Sequence, residues 1–156
     1  MSGNCALVAE EIKEKLGADL LRLHTKGEKP RNGFFKFFWG ICVMKGFKKA
    51  PFKPYTFDPA SYDLIVIGAP VWGGGPARPI RDFISKAGIT GKKIALFVCH
   101  AGGEGKAMAQ LKNLLSGNDI VAETSFVQVE KNLETVKQQA ADWAKQLTNN
   151  NSAFSA

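Results

Sequence analysis

The 156-residue chain has no apolar run approaching the roughly 20 residues that a membrane span needs. Its first residues form neither a basic leader nor an apolar stretch, so we expect no secretion signal and no stable membrane insertion. The cysteines Cys5, Cys42 and Cys99 are odd in number and far apart, with no CxxC pair. Free thiols in a reducing cytoplasm are the simplest interpretation.

Several catalytic patterns are missing as well. The sequence has no Ser-His-Asp spacing, no GxxxxGK[ST] loop and no cluster of metal ligands. Hydrolysis, nucleotide triphosphate chemistry and metal catalysis therefore lack support. No internal repeat occurs, and the length fits a single domain over 1–148. The polar residues 149–156 are predicted to be a disordered, frayed tail.

Among the features that are present, the net charge comes first. The chain carries a formal net charge of +7 and has a pI of about 9.4. An anionic partner is one explanation, and lysines that solubilise the surface are the other. Acidic residues are interspersed along most of the chain, which favours the second explanation, and we predict no nucleic-acid partner.

The order of predicted elements is more informative than composition. A helix is predicted over 2–16, with an apolar stripe of Val8, Ile12 and Leu16 and an end at Gly17. A short strand is predicted over 18–23. Apolar runs then predict strands at 62–68, 93–99 and 120–129, and amphipathic stripes predict intervening helices. The inward residues of those helices are Ile80, Phe83 and Ile84, then Met108, Leu111 and Leu115, and finally Val136, Ala140, Trp143 and Leu147.

Strands that alternate with amphipathic helices predict an α/β fold, a doubly wound parallel sheet with helices on both faces. Ligands of such folds bind beyond the carboxyl ends of the strands. The loops predicted at 69–76 and 100–105 belong to that edge, and so do the residues before the first helix. Three glycine-bearing segments therefore converge on one side of the predicted sheet.

Each segment has a binding interpretation and a structural one. Ser2-Gly3-Asn4-Cys5 opens a helix, where free N–H groups favour a phosphate but where Ser and Asn are also ordinary caps. Trp72 beside three glycines suits a planar ring, or it packs into the core. His100 is predicted either to contact the planar ring or a substrate, or to have only a structural role at the end of its strand.

These residues resemble the flavodoxin family, in particular its small flavodoxin-like flavoproteins. Ser2-Gly3-Asn4-Cys5 is similar to the family's S/T-G-N-T loop, and residues 62–72 are similar to its third strand and second flavin loop. Residues 79–84 match the following helix, and 91–103 resemble the fourth strand and third flavin loop. The likeness spans nearly all of 2–148.

The resemblance implies FMN as the cofactor. Ser2, Gly3, Asn4 and Cys5 would meet the phosphate, with Cys5 in place of the usual Thr. The remaining candidates, which would surround the isoalloxazine, are Pro70, Val71, Trp72, Gly73, Gly74, His100, Ala101, Gly102 and Gly103.

The family's sheet has the strand order 2-1-3-4-5, and its first strand precedes the phosphate loop. In this chain Met1 stands where that strand should have ended. About five buried apolar side chains at roughly 1.5–3 kcal/mol each would be lost with it. Three explanations remain open: the natural protein begins further upstream, a partner chain donates the strand in a homodimer, or the run Ile41-Cys42-Val43-Met44 replaces it.

A basic, aromatic insertion occupies 26–57. Its lysines and phenylalanines suit a flap that packs aromatics over the sheet or the flavin edge, or else a contact with a dimer partner, a membrane surface or single-stranded nucleic acid. The flap is the favoured interpretation. Flavodoxins that shuttle electrons to soluble reductases are usually acidic, and this basic chain departs from that pattern.

The sequence thus predicts an FMN-binding redox protein that passes electrons to a partner protein or a small-molecule acceptor. The alternative is a flavin-free flavodoxin-like module for binding or dimerisation.

Overall fold

The computed structural model describes residues 3–24 and 52–152. The helices are α1 (Asn4–Leu16), a short 3-10 helix (Pro59–Ser61), α2 (Arg78–Ala87), α3 (Ala107–Leu114) and α4 (Leu133–Ser152). The strands are β1 (Leu64–Trp72), β2 (Gly75–Pro76), β3 (Lys93–His100) and β4 (Asp119–Val127). Ser2, Cys42 and most of the predicted insertion lie outside the described residues.

The described strands form one sheet with the order β2-β1-β3-β4. β1 pairs with β3 in parallel, from Leu64↔Lys93 to Pro70↔Cys99, and β3 pairs with β4 in parallel. Only β2 is antiparallel. The predicted doubly wound α/β fold is confirmed.

Two apolar clusters cover the two faces of the sheet. One joins β1 and β3 to α2 and α3, through residues such as Phe83, Leu96 and Leu111. The other joins β3 and β4 to α1 and α4, through Val8, Phe97 and Trp143. All the inward helical residues predicted above are buried except Ile80 and Leu16, which are partly buried against these clusters. Burial of both faces explains why β3 is an unbroken apolar run.

The segment 69–72 differs from the prediction, because it is strand rather than loop. β1 continues to Trp72 and reverses through Gly73 and Gly74, so that Val71 pairs with Pro76 and Trp72 with Gly75. Both turn glycines have positive φ, 58° and 77°. Two successive positive φ angles define the tight hairpin turn that suits the twist of the flanking strands.

The strand predicted over 18–23 is wrong. Residues 18–24 have no strand hydrogen bonds to another described segment apart from one at the end, where Lys53 N–H donates to His24 O (2.8 Å). Leu21 and Leu23 nevertheless pack against the first cluster, which explains why apolar residues occur in this segment. Among the described residues, no strand pairs with 64–70 on the side of β1 that faces away from β3.

Two element ends also differ. β4 stops at Val127 instead of 129, because Gln128 has a φ of 47° that turns the chain out of the sheet. α4 extends to Ser152, so 149–152 are helical rather than frayed. At the described end of the insertion, the Phe57 ring centroid lies 5.4 Å from that of Phe83 on α2; the flap itself stays a prediction.

Candidate functional site

The carboxyl ends of β1 and β3 lie side by side, and the segments that follow them touch. The parallel register places Pro70 beside Cys99. Beyond the strands, Lys106 N–H donates to Gly74 O at 2.7 Å. Gly105 comes so close that a Cβ on it would lie 2.6 Å from the same oxygen. The two predicted glycine loops therefore form one continuous rim at this edge of the sheet.

Trp72 lies on this rim rather than in the core. Its side chain is partly exposed and belongs to neither apolar cluster, whereas that of the preceding Val71 packs against the first cluster. Its ring has no aromatic neighbour within the part of the chain that the structure describes. Pro70 has a structural task, since its carbonyl accepts from Ala77 N–H at 2.9 Å.

The segment after β3 is open to solvent. Ala101, Gly102 and Gly103 are exposed, and a Cβ on either glycine would meet nothing within 4 Å. Gln128 fixes the start of this segment: its backbone N–H donates to His100 O (2.8 Å) and its side chain Nε2 donates to Ala101 O (3.1 Å). Open space beside exposed backbone leaves room for a ligand against these residues.

The N-terminus of α1 is uncapped. Gly3 occupies the N-cap position without a side-chain hydrogen bond, and the first turn has no acidic residue. The first intrahelical bond runs from Leu7 N–H to Gly3 O (2.9 Å). No described residue accepts a hydrogen bond from the earlier N–H groups of the helix. Together with the helix dipole, these groups favour an anion.

Two buried polar atoms have no hydrogen-bond partner among the described residues: Asn4 Oδ1 and His100 Nδ1. Both belong to residues predicted for the site. Buried polar atoms are ordinarily paired, because leaving one unsatisfied costs about 1–3 kcal/mol. A ligand at this edge would supply the missing partners.

Cys5 connects the first turn of α1 to the end of β3. Its thiol packs against the cluster that contains Cys99, and both cysteines are free. Hydrogen bonding to the Cys99 side chain, followed by burial, raises the pKa of the Cys5 thiol. The Cys5 side chain therefore packs against this apolar cluster, and the backbone N–H of Cys5 is the group that remains for a ligand.

Sequence reasoning missed Gly105, Lys106 and Gln128. Gly105 lay in the predicted loop without a role, and its need for glycine comes from a φ of 56° and the contact with Gly74. Gln128 is the one described non-glycine residue with positive φ, and nothing in its surrounding sequence marks it.

Two negative findings limit the site's chemistry within residues 3–24 and 52–152. No group of three or more His, Cys, Asp or Glu side chains is arranged to hold a metal ion. None of the helices described there is long and apolar enough to cross a membrane.

Comparisons with known proteins show the fold. A flavoprotein from Lactobacillus acidophilus NCFM, solved in complex with FMN, superposes with a TM-score of 0.64 at 21% identity, covering 86% of this chain and 91% of that one. Two proteins described as flavoproteins are also similar. The one from Bacteroides eggerthii superposes with a TM-score of 0.72 at 18% identity, covering 94% of this chain and 92% of that one. The one from Bacteroides uniformis has a TM-score of 0.71 at 21% identity, covering 88% of this chain and 90% of that one. No family model and no curated sequence matches the chain. The chain has the flavodoxin-like fold.

Proposed function

We propose that the protein binds FMN at the carboxyl edge of its sheet and transfers electrons through the flavin. The observation that carries this proposal is the joined rim, where Lys106 N–H bonds Gly74 O beside the partly exposed Trp72. A planar ring could stack on the indole and receive hydrogen bonds from rim backbone amides. The structurally similar L. acidophilus protein was solved with FMN.

The phosphate end of FMN fits the start of α1. Uncapped N–H groups and the positive end of the helix dipole attract a phosphate, and no first-turn carboxylate opposes it. Asn4 is partly exposed, and its buried Oδ1 lacks a hydrogen-bond partner among the described residues. Rotation of the amide by half a turn presents Nδ2, a hydrogen-bond donor, to a phosphate oxygen.

The ring end fits the opposite part of the rim. Gly102 and Gly103 leave open space that a Cβ would begin to fill, and the buried His100 Nδ1 lacks a hydrogen-bond partner among the described residues. Bound FMN would supply the redox chemistry, while these residues position the ring and exclude water from it. The predicted contacts of Gly73, Gly74 and Ala101 with the ring belong to this proposal.

The proposal is tested by titrating purified full-length protein with FMN and following the flavin absorbance and fluorescence. We expect saturable binding that weakens at least about tenfold in Trp72→Leu and in Gly102→Val. Gly102 does not have a positive φ, so its substitution adds bulk without backbone strain. Asn113→Ala, on the exposed side of α3, is the control and should bind as the original protein does.

Absence of any flavin binding would overturn this function and favour a second one, a flavin-free module that dimerises through its sheet. The specific observation in its favour is the edge of β1 at 64–70, which has no strand partner among the described residues. Unpaired strand edges readily accept a strand from another chain. Sedimentation would then show a homodimer.

The electron partner is part of the same proposal. A redox partner protein or a small-molecule acceptor would approach the rim where Ala101 and Gly102 are exposed. Stopped-flow reoxidation of the reduced flavoprotein by one-electron and two-electron acceptors distinguishes a carrier from a reductase. A carrier reacts fast with one-electron acceptors and a reductase with two-electron acceptors.

A further inference from the structure

The side chain of Gln110 lies against the hairpin that ends β1. Gln110 is in the first half of α3, and its backbone N–H donates to Lys106 O at 2.9 Å. The N–H of Lys106 in turn donates to Gly74 O at 2.7 Å. These two hydrogen bonds fix the position of Gln110 relative to the hairpin turn.

Gly75 makes room for the amide group of Gln110. A Cβ on Gly75 would lie 2.9 Å from Gln110 Oε1, 3.6 Å from its Cδ and 3.7 Å from its Nε2. The whole amide therefore lies where a side chain at position 75 would begin. Gly75 does not have a positive φ, so glycine at this position permits the close approach of the amide rather than a special backbone conformation.

This amide is on the same face of the hairpin as Trp72. Trp72 and Gly75 are directly opposite each other in the antiparallel pairing of β1 and β2. Directly opposite residues have their Cβ positions on one face, about 4.5–5.5 Å apart. The Gln110 amide is therefore a neighbour of the side chain on which the proposed function stacks a planar ring.

The Gln110 amide is available to a ligand. Gln110 is partly exposed, and its side chain forms no hydrogen bond with any described residue. A glutamine amide contains an acceptor oxygen and an NH2 group with two donors. A ring that lies on Trp72 can therefore accept a hydrogen bond from this amide and donate one to it.

We propose that the Gln110 amide binds the pyrimidine edge of the FMN ring and so determines which end of the ring lies beside the hairpin. This inference rests on the proposed function, the binding of FMN at the rim. The pyrimidine edge has the N3–H group, a donor, between two carbonyl oxygens, which are acceptors. The amide oxygen accepts from N3–H, and the amide NH2 donates to one of the two carbonyls.

The opposite end of the ring system fits this position less well. It is a dimethylbenzene, which has neither a donor nor an acceptor. Placed against Gln110, it would remove water from the amide without replacing the hydrogen bonds that water makes. Because an unsatisfied polar group is unfavourable when it is covered, the pyrimidine end is the one that lies beside Gln110.

The test compares FMN with FMN that is methylated at N3, which has a methyl group in place of the N3 hydrogen. Flavin fluorescence gives the dissociation constants for the purified full-length protein. The original protein should bind the methylated compound at least about tenfold more weakly, because the methyl group removes the donor and meets the amide. Gln110→Ala should bind FMN about tenfold more weakly than the original protein, and methylation should change its affinity by less than about threefold.

Gln146→Ala, which removes an exposed glutamine from α4, is the control and should distinguish the two compounds as the original protein does. A methylation penalty of the same size in Gln110→Ala and in the original protein overturns this inference and leaves the proposed function standing. If the original protein binds neither compound, the proposed function and this inference are both overturned.

A second variant tests the contact between Gln110 and Gly75. The Cβ of Gly75→Ala would lie 2.9 Å from Gln110 Oε1, so the amide must move away from the hairpin. The fold should tolerate this change, because the amide is the end of a flexible side chain. FMN binding should weaken about as much as in Gln110→Ala, and the double variant should bind no more weakly than either single variant. Losses that add up in the double variant would contradict the inference, since the two residues would then act independently.

Discussion

The two ends of the parallel strands differ in how completely their polar groups are paired. At the amino end, Lys92 Nζ donates to the carbonyls of Ala60 (3.2 Å) and Tyr62 (2.9 Å). Asn118 Nδ2 donates to the carbonyls of Ile89 and Leu115, and its Oδ1 accepts from Lys92 N–H. At the carboxyl end, Asn4 and His100 each have a buried atom without a partner in the described residues.

This difference separates stability from binding. Loops with fully paired polar groups hold the strands together and have nothing left to offer a ligand. Loops that contain unpaired buried polar groups lower the free energy of unfolding. A ligand that supplies hydrogen-bond partners to these groups raises it again. The same division of tasks between strand ends occurs in other parallel α/β folds. Substitutions at the two ends should accordingly affect different measurements.

The largest effect on stability is expected at the amino end, from Asn118→Ala. Three hydrogen bonds of 2.9–3.0 Å are lost together, and the freed groups are partly buried. At about 1 kcal/mol each, the free energy of unfolding should fall by about 3 kcal/mol. Urea unfolding measures this loss.

The matched control is Asn113→Ala, which removes an exposed asparagine from α3 and should change the free energy of unfolding by less than about 0.5 kcal/mol. FMN binding, measured where both variants are folded, should be the same in the two. If Asn118→Ala also abolished FMN binding in folded protein, the separation of the two ends would be refuted.

A smaller effect on stability but a direct one on binding is expected from Gly105→Ala. The new Cβ would press on Gly74 O, which Lys106 N–H bonds, at a residue with a φ of 56°. We expect a loss of about 2 kcal/mol in the free energy of unfolding. Displacement of the two loops should also weaken FMN binding by about tenfold.

Gly91→Ala provides the comparison at the amino end. Gly91 has a similar φ of 64°, but a Cβ there meets nothing within 4 Å. Only the backbone strain applies, so about 1 kcal/mol should be lost, with FMN affinity unchanged. Equal FMN affinities for the two variants would show that contact between the loops is irrelevant to the site.

The smallest effect is expected at Asp58, which caps the 3-10 helix near the amino end. Hydrogen bonds from Ser61 Oγ and Ala60 N–H hold the pKa of its carboxyl below the usual value. A lowered pKa stabilises the fold above the unfolded value of about 3.9, and this stabilisation is lost as the pH falls through the folded value.

The stability of Asp58→Ala should therefore lie slightly below that of the original protein at neutral pH, and the two should converge in acid. Urea unfolding at several pH values measures the difference. Asp63→Ala, a neighbouring exposed carboxylate, is the control. A difference that stays constant from neutral pH to below pH 3 would refute the role of the charged carboxyl.

Sequence patterns located the long elements well because their burial is regular. The continuous apolar run of β3 reflects burial on both faces of the sheet. The stripe Val136, Ala140, Trp143 and Leu147 of α4 reflects one buried face with a period of 3.6 residues. The apolar residues within 18–23 were misleading. Leu21 and Leu23 are partly buried there without strand pairing, so the burial of a side chain did not indicate that its backbone belongs to the sheet.

The sequence could not show which groups meet across the fold. The hydrogen bonds of Gln128 to His100 and Ala101, and that of Lys106 to Gly74, depend on the relative position of separate segments. The candidate site was predicted as three glycine-bearing segments at one edge. The structure brings Gly74 against Lys106, but contact of these residues with FMN stays a prediction.

The sequence by itself determined the class of fold, because strand and helix periodicities depend on local burial and alternate along the chain. It also determined which segments end at the carboxyl edge, since a parallel sheet places those ends together. Only the tertiary structure decided which buried polar groups remain unpaired and which loops touch. Those properties depend on distances of a few ångströms between residues far apart in sequence, and no local pattern encodes them.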